Sequence, residues 1–190
     1  MSFAKSKDCL KEGIAVEFQA VHKYQHIAIV AEQAGFFNIA YLFHSLIRSE
    51  EIHIRNHRNA LEDSTYRSEI ETFTPRSTLE NVEEAIKWEL HEARVMYPGF
   101  IKQIKGETGN EFGKVARLSF AWAKSVELSH AKVLKLALRA LKTGKDFAIK
   151  NIYICRVCGN ILLTDPEEGC PVCGHDIRFY AKIDRNGWRD

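Results

Sequence analysis

Glu50-Glu51-Ile52-His53 recurs farther along the chain as Glu127-Leu128-Ser129-His130. Residues three apart on a helix lie on one face, so each pair offers a carboxylate and an imidazole to the same point. A single Glu-x-x-His is more often a solvated surface pair. Here each motif follows a further glutamate, Glu17 before the first and Glu89 before the second. The order Glu, then Glu-x-x-His, therefore occurs twice, and an internal repeat says more than either motif alone. A carboxylate di-iron bundle needs this set, one Glu from each of two helices and a Glu-x-x-His from each of the other two. Ala20, Val21, Tyr24 and Ala28 share the face of Glu17. Carboxylates on a core-facing stripe are costly unless paired or metal-bound.

The surrounding pattern predicts helices. Apolar residues at three- and four-residue spacing run from about Lys5 to Gln33, Phe36 to Asp63, Ser77 to Lys105 and Glu111 to Lys142. Gly35, a polar linker containing Pro75, and Gly106 with Gly109 separate them, and Gly144 ends the last. Ser77 and Glu80 have capping-box spacing. Long helices joined by short connections point to an all-α antiparallel four-helix bundle. Pro98 falls inside the third helix and predicts a kink there.

After Gly144 the character changes. Short strands are expected at Asn151 to Ile154 and Ile177 to Ile183, around Cys155-Arg-Val-Cys158-Gly159 and Cys170-Pro-Val-Cys173-Gly174. Each CxxC turn offers two sulfurs to one metal, and the glycine after it permits the tight backbone turn. A unit this small usually needs a metal or disulfides to fold. The duplicated spacing favours a metal, and from these residues alone zinc and a single iron fit equally.

Five cysteines, four of them in CxxC pairs, suit a reducing compartment, and Cys9 is given no role. Lys and Arg number 27 against 25 Asp and Glu, a net charge of +2 that argues against a dedicated nucleic-acid binder. No signal-peptide core or membrane-length apolar run is seen, so a cytoplasmic protein without membrane attachment is expected. His22/His26 and His53/His57 have HxxxH spacing without the glutamate of HExxH. His22 and His26 are expected at the surface. His44, His57, His91 and His175 are expected at the surface or behind the ligands, not among them.

Together these residues resemble the rubrerythrins over nearly the whole chain. That family combines a ferritin-like di-iron four-helix bundle, here residues 1–146, with a small rubredoxin-like β/metal-knuckle domain holding an iron on four cysteines, here residues 147–190. The most specific element is Glu89-Leu90-His91-Glu92 followed by Met96-Tyr97-Pro98, because Glu92 matches an extra glutamate found in the family. Tyr24 and Tyr97 match tyrosines that hydrogen-bond ligand carboxylates.

The resemblance implies that Glu50 and Glu127 bridge two irons, completed by Glu17, Glu89, Glu92 and His130. It implies that one iron moves between Glu92 and His53 with redox state, and that Cys155, Cys158, Cys170 and Cys173 hold a third iron. The implied activity is that of a non-haem peroxidase in oxidative-stress defence, reducing hydrogen peroxide to water. Electrons would pass through the four-cysteine iron from a reductase or rubredoxin-like carrier, in a homodimer with one chain's tail near the other's bundle. The turn between helices three and four is longer than in the family. Gly159-Asn160-Ile161 stands where an aromatic often follows the second cysteine, which leaves zinc open in the tail. Two other functions compete. Ferritin-like iron oxidation and storage would have no use for the tail as a one-electron relay. A structural bundle with a zinc-ribbon interaction module would gain no pull on nucleic acid from the tail's balanced charge.

Overall fold

A computed structural model of the chain describes residues 3–185; residues 1–2 and 186–190, the outer ends of the two expected units, lie outside the described residues. The chain forms the expected helical bundle with a small antiparallel tail. Helix α1 spans Ala4–Gln33, α2 Phe37–Leu61, α3 Thr78–His91, α4 Tyr97–Gln103 and α5 Glu111–Leu141. Helix α1 packs along α2 and α3 along α5, so the two halves of the sequence repeat become two helix pairs.

Two helices borrow their N-terminal caps. Phe36 cannot cap α2, and the Asp146 carboxylate accepts from the N–H groups of Asn38 at 2.8 Å and Ile39 at 3.2 Å. Glu107 accepts from the Ser6 N–H of α1 at 2.9 Å. In each case a distant anion meets the positive end of a helix. Helix α3 caps itself. The Ser77 N–H donates to Glu80 at 3.2 Å, and the Glu80 N–H donates back to Ser77 Oγ at 3.4 Å, forming the expected box.

The third long helix breaks earlier than expected. The distortion is a π-helical turn over Glu92–Met96, between α3 and α4, and Pro98 lies just beyond it. Proline offers no N–H to the carbonyl of Arg94 and its ring crowds that turn, and the widened turn just upstream is where the helix accommodates it. A 3₁₀ turn over Ile104–Glu107 then ends the rod.

Strands β1 (Tyr153–Cys155), β2 (Ile161–Leu162) and β3 (Tyr180–Lys182) form an antiparallel sheet in the order β2-β1-β3. The sequence reading missed β2, and it extended the last strand over Ile177–Phe179, which form a 3₁₀ turn capped by Asp176. Phe147, Ile152, Ile154, Ile161 and Ile183 join the apolar cluster of Ile39, Leu42, Phe43 and Leu134, so the tail is packed onto its own chain's bundle. The Tyr41 hydroxyl secures this contact, donating to the Ile183 carbonyl at 2.8 Å and accepting from the Ile152 N–H at 3.0 Å. A second cluster, Leu10, Ile14, Ile54, Phe100, Ile104 and Phe120, fills the other end of the bundle. No helix among the described residues is long and apolar enough to cross a membrane.

Candidate metal centre

Between the two apolar clusters lies a polar layer. Glu17 (α1), Glu50 and His53 (α2), Glu89 (α3), Glu92 (π turn), and Glu127 and His130 (α5) are all buried. His53 Nδ1 lies 2.8 Å from Glu50 Oε2, 2.9 Å from Glu127 Oε1 and 3.5 Å from Glu17 Oε1. His130 Nδ1 lies 2.8 Å from Glu127 Oε2, 3.2 Å from Glu89 Oε2 and 3.3 Å from Glu50 Oε1. Glu50 and Glu127 thus turn one oxygen toward each histidine. The donors form two groups, Glu17–Glu50–His53–Glu127 and Glu50–Glu89–Glu127–His130, with ligand atoms within 4.8 Å of one another in each. A carboxylate shared in this way is placed to bridge two ions.

Hydrogen bonding alone does not satisfy this layer. Glu17 Oε2, Glu50 Oε2, both Glu127 oxygens and His53 Nδ1 are buried without a hydrogen-bond partner. The short His53 contacts have the distance of a hydrogen bond without its geometry, and the donor atoms instead converge on shared points between the side chains. Burying that many unpaired polar atoms is prohibitive unless cations fill those points. Oxygen-rich sets with one imidazole each suit first-row divalent ions.

Without metal the layer is electrostatically frustrated. Burial, reinforced by the charge of Glu50, pushes the Glu17 carboxyl up to about 8. Burial likewise holds Glu89 and Glu92 well above the carboxylate range. Burial works to lower His53 and His130, but the carboxylates around them outweigh it and raise both. Burial opposes ionisation of Glu127 too, yet the two histidines hold its carboxyl low.

Tyr24 donates to Glu89 Oε1 at 2.5 Å and Tyr97 donates to Glu17 Oε1, the two roles the family resemblance implies. Glu92 stands outside both four-residue groups. It lines a cavity of about 320 Å³ with Val16, Ala20, Lys23, Trp88 and Met96.

The four cysteine sulfurs also converge within 4.8 Å. Cys155 and Cys173 sulfurs are 3.7 Å apart and those of Cys158 and Cys170 3.5 Å, too far for disulfides and near the ~3.8 Å edge of a tetrahedron with metal–sulfur bonds of about 2.3 Å. Gly159 and Gly174 both have positive φ, +89° and +72°, as the tight turns require. No aromatic follows Cys158. Instead Asn160 is buried and donates to the hydroxyl of Tyr180, whose ring packs on the cysteines from β3.

The knuckle sits directly on α2. Ser49 Oγ donates to the Gly159 carbonyl at 2.8 Å and Asn56 Nδ2 to the Val157 carbonyl at 2.8 Å. His53 Nε2 meets the Cys158 carbonyl at 3.2 Å. Donation there leaves Nδ1 free to face the carboxylates, so one imidazole touches both sites.

Of the remaining histidines, His44, His91 and His175 lie outside both groups, with His44 and His175 half-buried and His91 exposed. His22 and His26 are half-buried, away from both donor groups, with ring centroids 4.5 Å apart and His26 beside Phe73. His57 is fully buried and hydrogen-bonded to Tyr97 and Ser119, a layer the sequence reading did not resolve. The available signal was its i, i+4 spacing from His53, which places both on one helix face.

A rubrerythrin family model matches residues 8–138. Rubrerythrin-2 of Clostridium acetobutylicum is 33% identical over 90% of this chain and 92% of its own length. Nigerythrin of Nitratidesulfovibrio vulgaris is 29% identical over 86% of this chain and 79% of its own. A solved structure of mixed-valent nigerythrin superposes with a TM-score of 0.82 at 26% identity, covering 94% of this chain and 86% of that one. The repeat, the two convergent donor sets and these likenesses agree: the chain belongs to the rubrerythrin family.

Proposed function

We propose that the protein is a peroxidase that reduces hydrogen peroxide to water with electrons delivered through its own cysteine knuckle. The observation that carries this reading is His53, whose Nδ1 faces the carboxylates while Nε2 lies 3.2 Å from the Cys158 carbonyl. A storage bundle, or an outward-facing interaction module, has no use for that junction.

Glu17, Glu50, His53 and Glu127 would hold one iron, Glu50, Glu89, Glu127 and His130 a second, and the four cysteines a third. Bound iron would supply a two-electron couple in the bundle and a one-electron couple in the knuckle.

The protein's own groups supply access and protons. The cavity opens past Val16, Ala20 and Met96 onto Glu92 and easily admits a molecule the size of peroxide. Lys23 lies over the Trp88 ring at 4.2 Å, holding a cation beside this path. Burial, and then the charges of Glu17 and Glu127, push the Glu92 carboxyl well above the usual carboxylate range, which favours its protonated form. It can therefore give a proton to the departing oxygen as the O–O bond breaks. Two electrons and two protons convert one peroxide to two waters. Glu92 gives the first proton and regains one from solvent through the cavity. A reductase or small rubredoxin-like carrier supplies the electrons.

Reduced, iron-loaded protein mixed anaerobically with hydrogen peroxide should consume one peroxide per two electrons and evolve no dioxygen. Dioxygen evolution, or reoxidation by dioxygen but not by peroxide, would overturn the reading.

A further inference from the structure

The two tyrosines that hold ligand carboxylates have unequal surroundings. Tyr24, donating to Glu89, packs against the rings of Phe43 and Trp88. Tyr97, donating to Glu17, has a polar group behind it, with His57 Nε2 3.0 Å from its oxygen. His57 Nδ1 lies in turn 2.7 Å from Ser119 Oγ. The imidazole is fully buried, its centroid 5.3 Å from that of Phe120. Gly13 of α1 closes the space, since a Cβ there would come within 3.3 Å of the imidazole Cδ2.

Hydrogen-bond accounting fixes the direction of this chain. A phenol has one proton, and that of Tyr97 goes to the Glu17 carboxylate. The phenol oxygen must therefore accept from His57, which puts the imidazole proton on Nε2. Nδ1 is then the acceptor and takes the Ser119 hydroxyl proton. Run the other way, the chain would leave buried Glu17 without its donor. Burial, with the charge of His53 adding to it, pushes the His57 imidazole down to about 3, so the neutral form is the one present.

We propose that His57 is a positioning residue for the di-metal site: locked as the Nε2–H tautomer between Ser119 and Tyr97, it holds the Tyr97 proton on Glu17. A phenol that accepts a hydrogen bond becomes a stronger donor, so the chain draws charge from the Glu17 oxygen. Glu17 belongs to the same donor group as His53, so the tuned end of the site is the one joined to the knuckle. The proposal rests on Glu17 being a ligand and not on peroxide chemistry.

Two measurements on the full-length, zinc-substituted protein test it. Long-range ¹H–¹⁵N NMR should find His57 as a single neutral Nε2–H tautomer; the opposite tautomer, or a cation at neutral pH, overturns the proposal. Ultraviolet resonance Raman, with the Tyr97 signal isolated by subtracting Tyr97→Phe, should report a hydroxyl that both donates and accepts. His57→Leu should lose the accepting component, whereas Phe120→Leu, which disturbs the same packing without removing a donor, should keep it. An unchanged signal in His57→Leu, or an equal change in Phe120→Leu, overturns the proposal. Should His57→Leu not fold, Tyr97→Phe, which removes the acceptor facing Nε2, decides: the NMR should then show mixed tautomers, and a single unchanged Nε2–H form would overturn it. Neither readout needs peroxide, so a locked tautomer in a protein inert to peroxide would sink the proposed function alone.

Discussion

Gly159→Ala is the sharpest perturbation of the contact between the two sites. Gly159 has a φ of +89°, and a Cβ there would lie 2.5 Å from Ser49 Oγ, 3.1 Å from His53 Nε2 and 3.2 Å from the Ser49 carbonyl. The left-handed conformation costs an alanine about 1–2 kcal/mol. Overpacking against the α2 backbone adds roughly 1–3 kcal/mol, part of it the hydrogen bond from Ser49 to the Gly159 carbonyl. The expected loss is therefore about 2–5 kcal/mol, read by urea denaturation of the zinc-loaded protein. Combining it with Ser49→Ala should recover part of the crowding share and none of the backbone share. The same change should move the Cys158 carbonyl away from His53 and slow electron transfer from knuckle to bundle. A stability within about 0.5 kcal/mol of the parent, the range of an ordinary surface change, would refute the docking geometry.

Glu92→Gln should leave the fold intact and slow peroxide turnover by about 100-fold, the low end of general-acid contributions; unchanged turnover removes Glu92 from the chemistry. Cys158→Ser should abolish the knuckle's visible colour while the reduced bundle still reacts once with peroxide, and loss of that single turnover would mean the sites are not separable. Stripped of bundle metals, the folded protein holds a proton on Glu17 up to about pH 8 that an unfolded chain releases near pH 4.5. Stability should therefore fall as pH rises through that window, by about 1.4 kcal/mol per unit for each such proton. His57, lowered to about 3, acts in the opposite sense only below the unfolded imidazole value of about 6.5, so the fall should be plain between about pH 6.5 and 8. Denaturant midpoints that stay level or rise across that window contradict it.

Much of this was legible in the sequence because metal chemistry constrains spacing. Glu17, Glu50, His53, Glu89, Glu127 and His130 stand at helical intervals that leave few other uses, and the structure brings all six into one layer. Two CxxC turns followed by glycine were equally plain. What was not legible depends on contacts far apart in the chain. Pro98 announced a distortion, but the π turn lies upstream of it over Glu92–Met96, where no local motif marks it. His57 shares the face of His53, yet its role depends on Ser119, brought near only when α5 packs on α2. Tyr180 replaces the missing aromatic of the knuckle from another strand, which no local motif could indicate. The docking of the tail on its own bundle rests on Ser49, His53 and Asn56, ordinary residues of a helix until the knuckle meets them.

The most direct test joins both sites in one experiment. Fully reduced, iron-loaded protein is mixed anaerobically with one equivalent of hydrogen peroxide, and the visible band of the oxidised knuckle is followed by stopped flow. The band should grow in a first-order phase whose rate does not change on dilution, as the proposed relay through the His53–Cys158 contact requires. A band that never appears, or a rate that rises in proportion to protein concentration, would contradict a single peroxide-reducing unit.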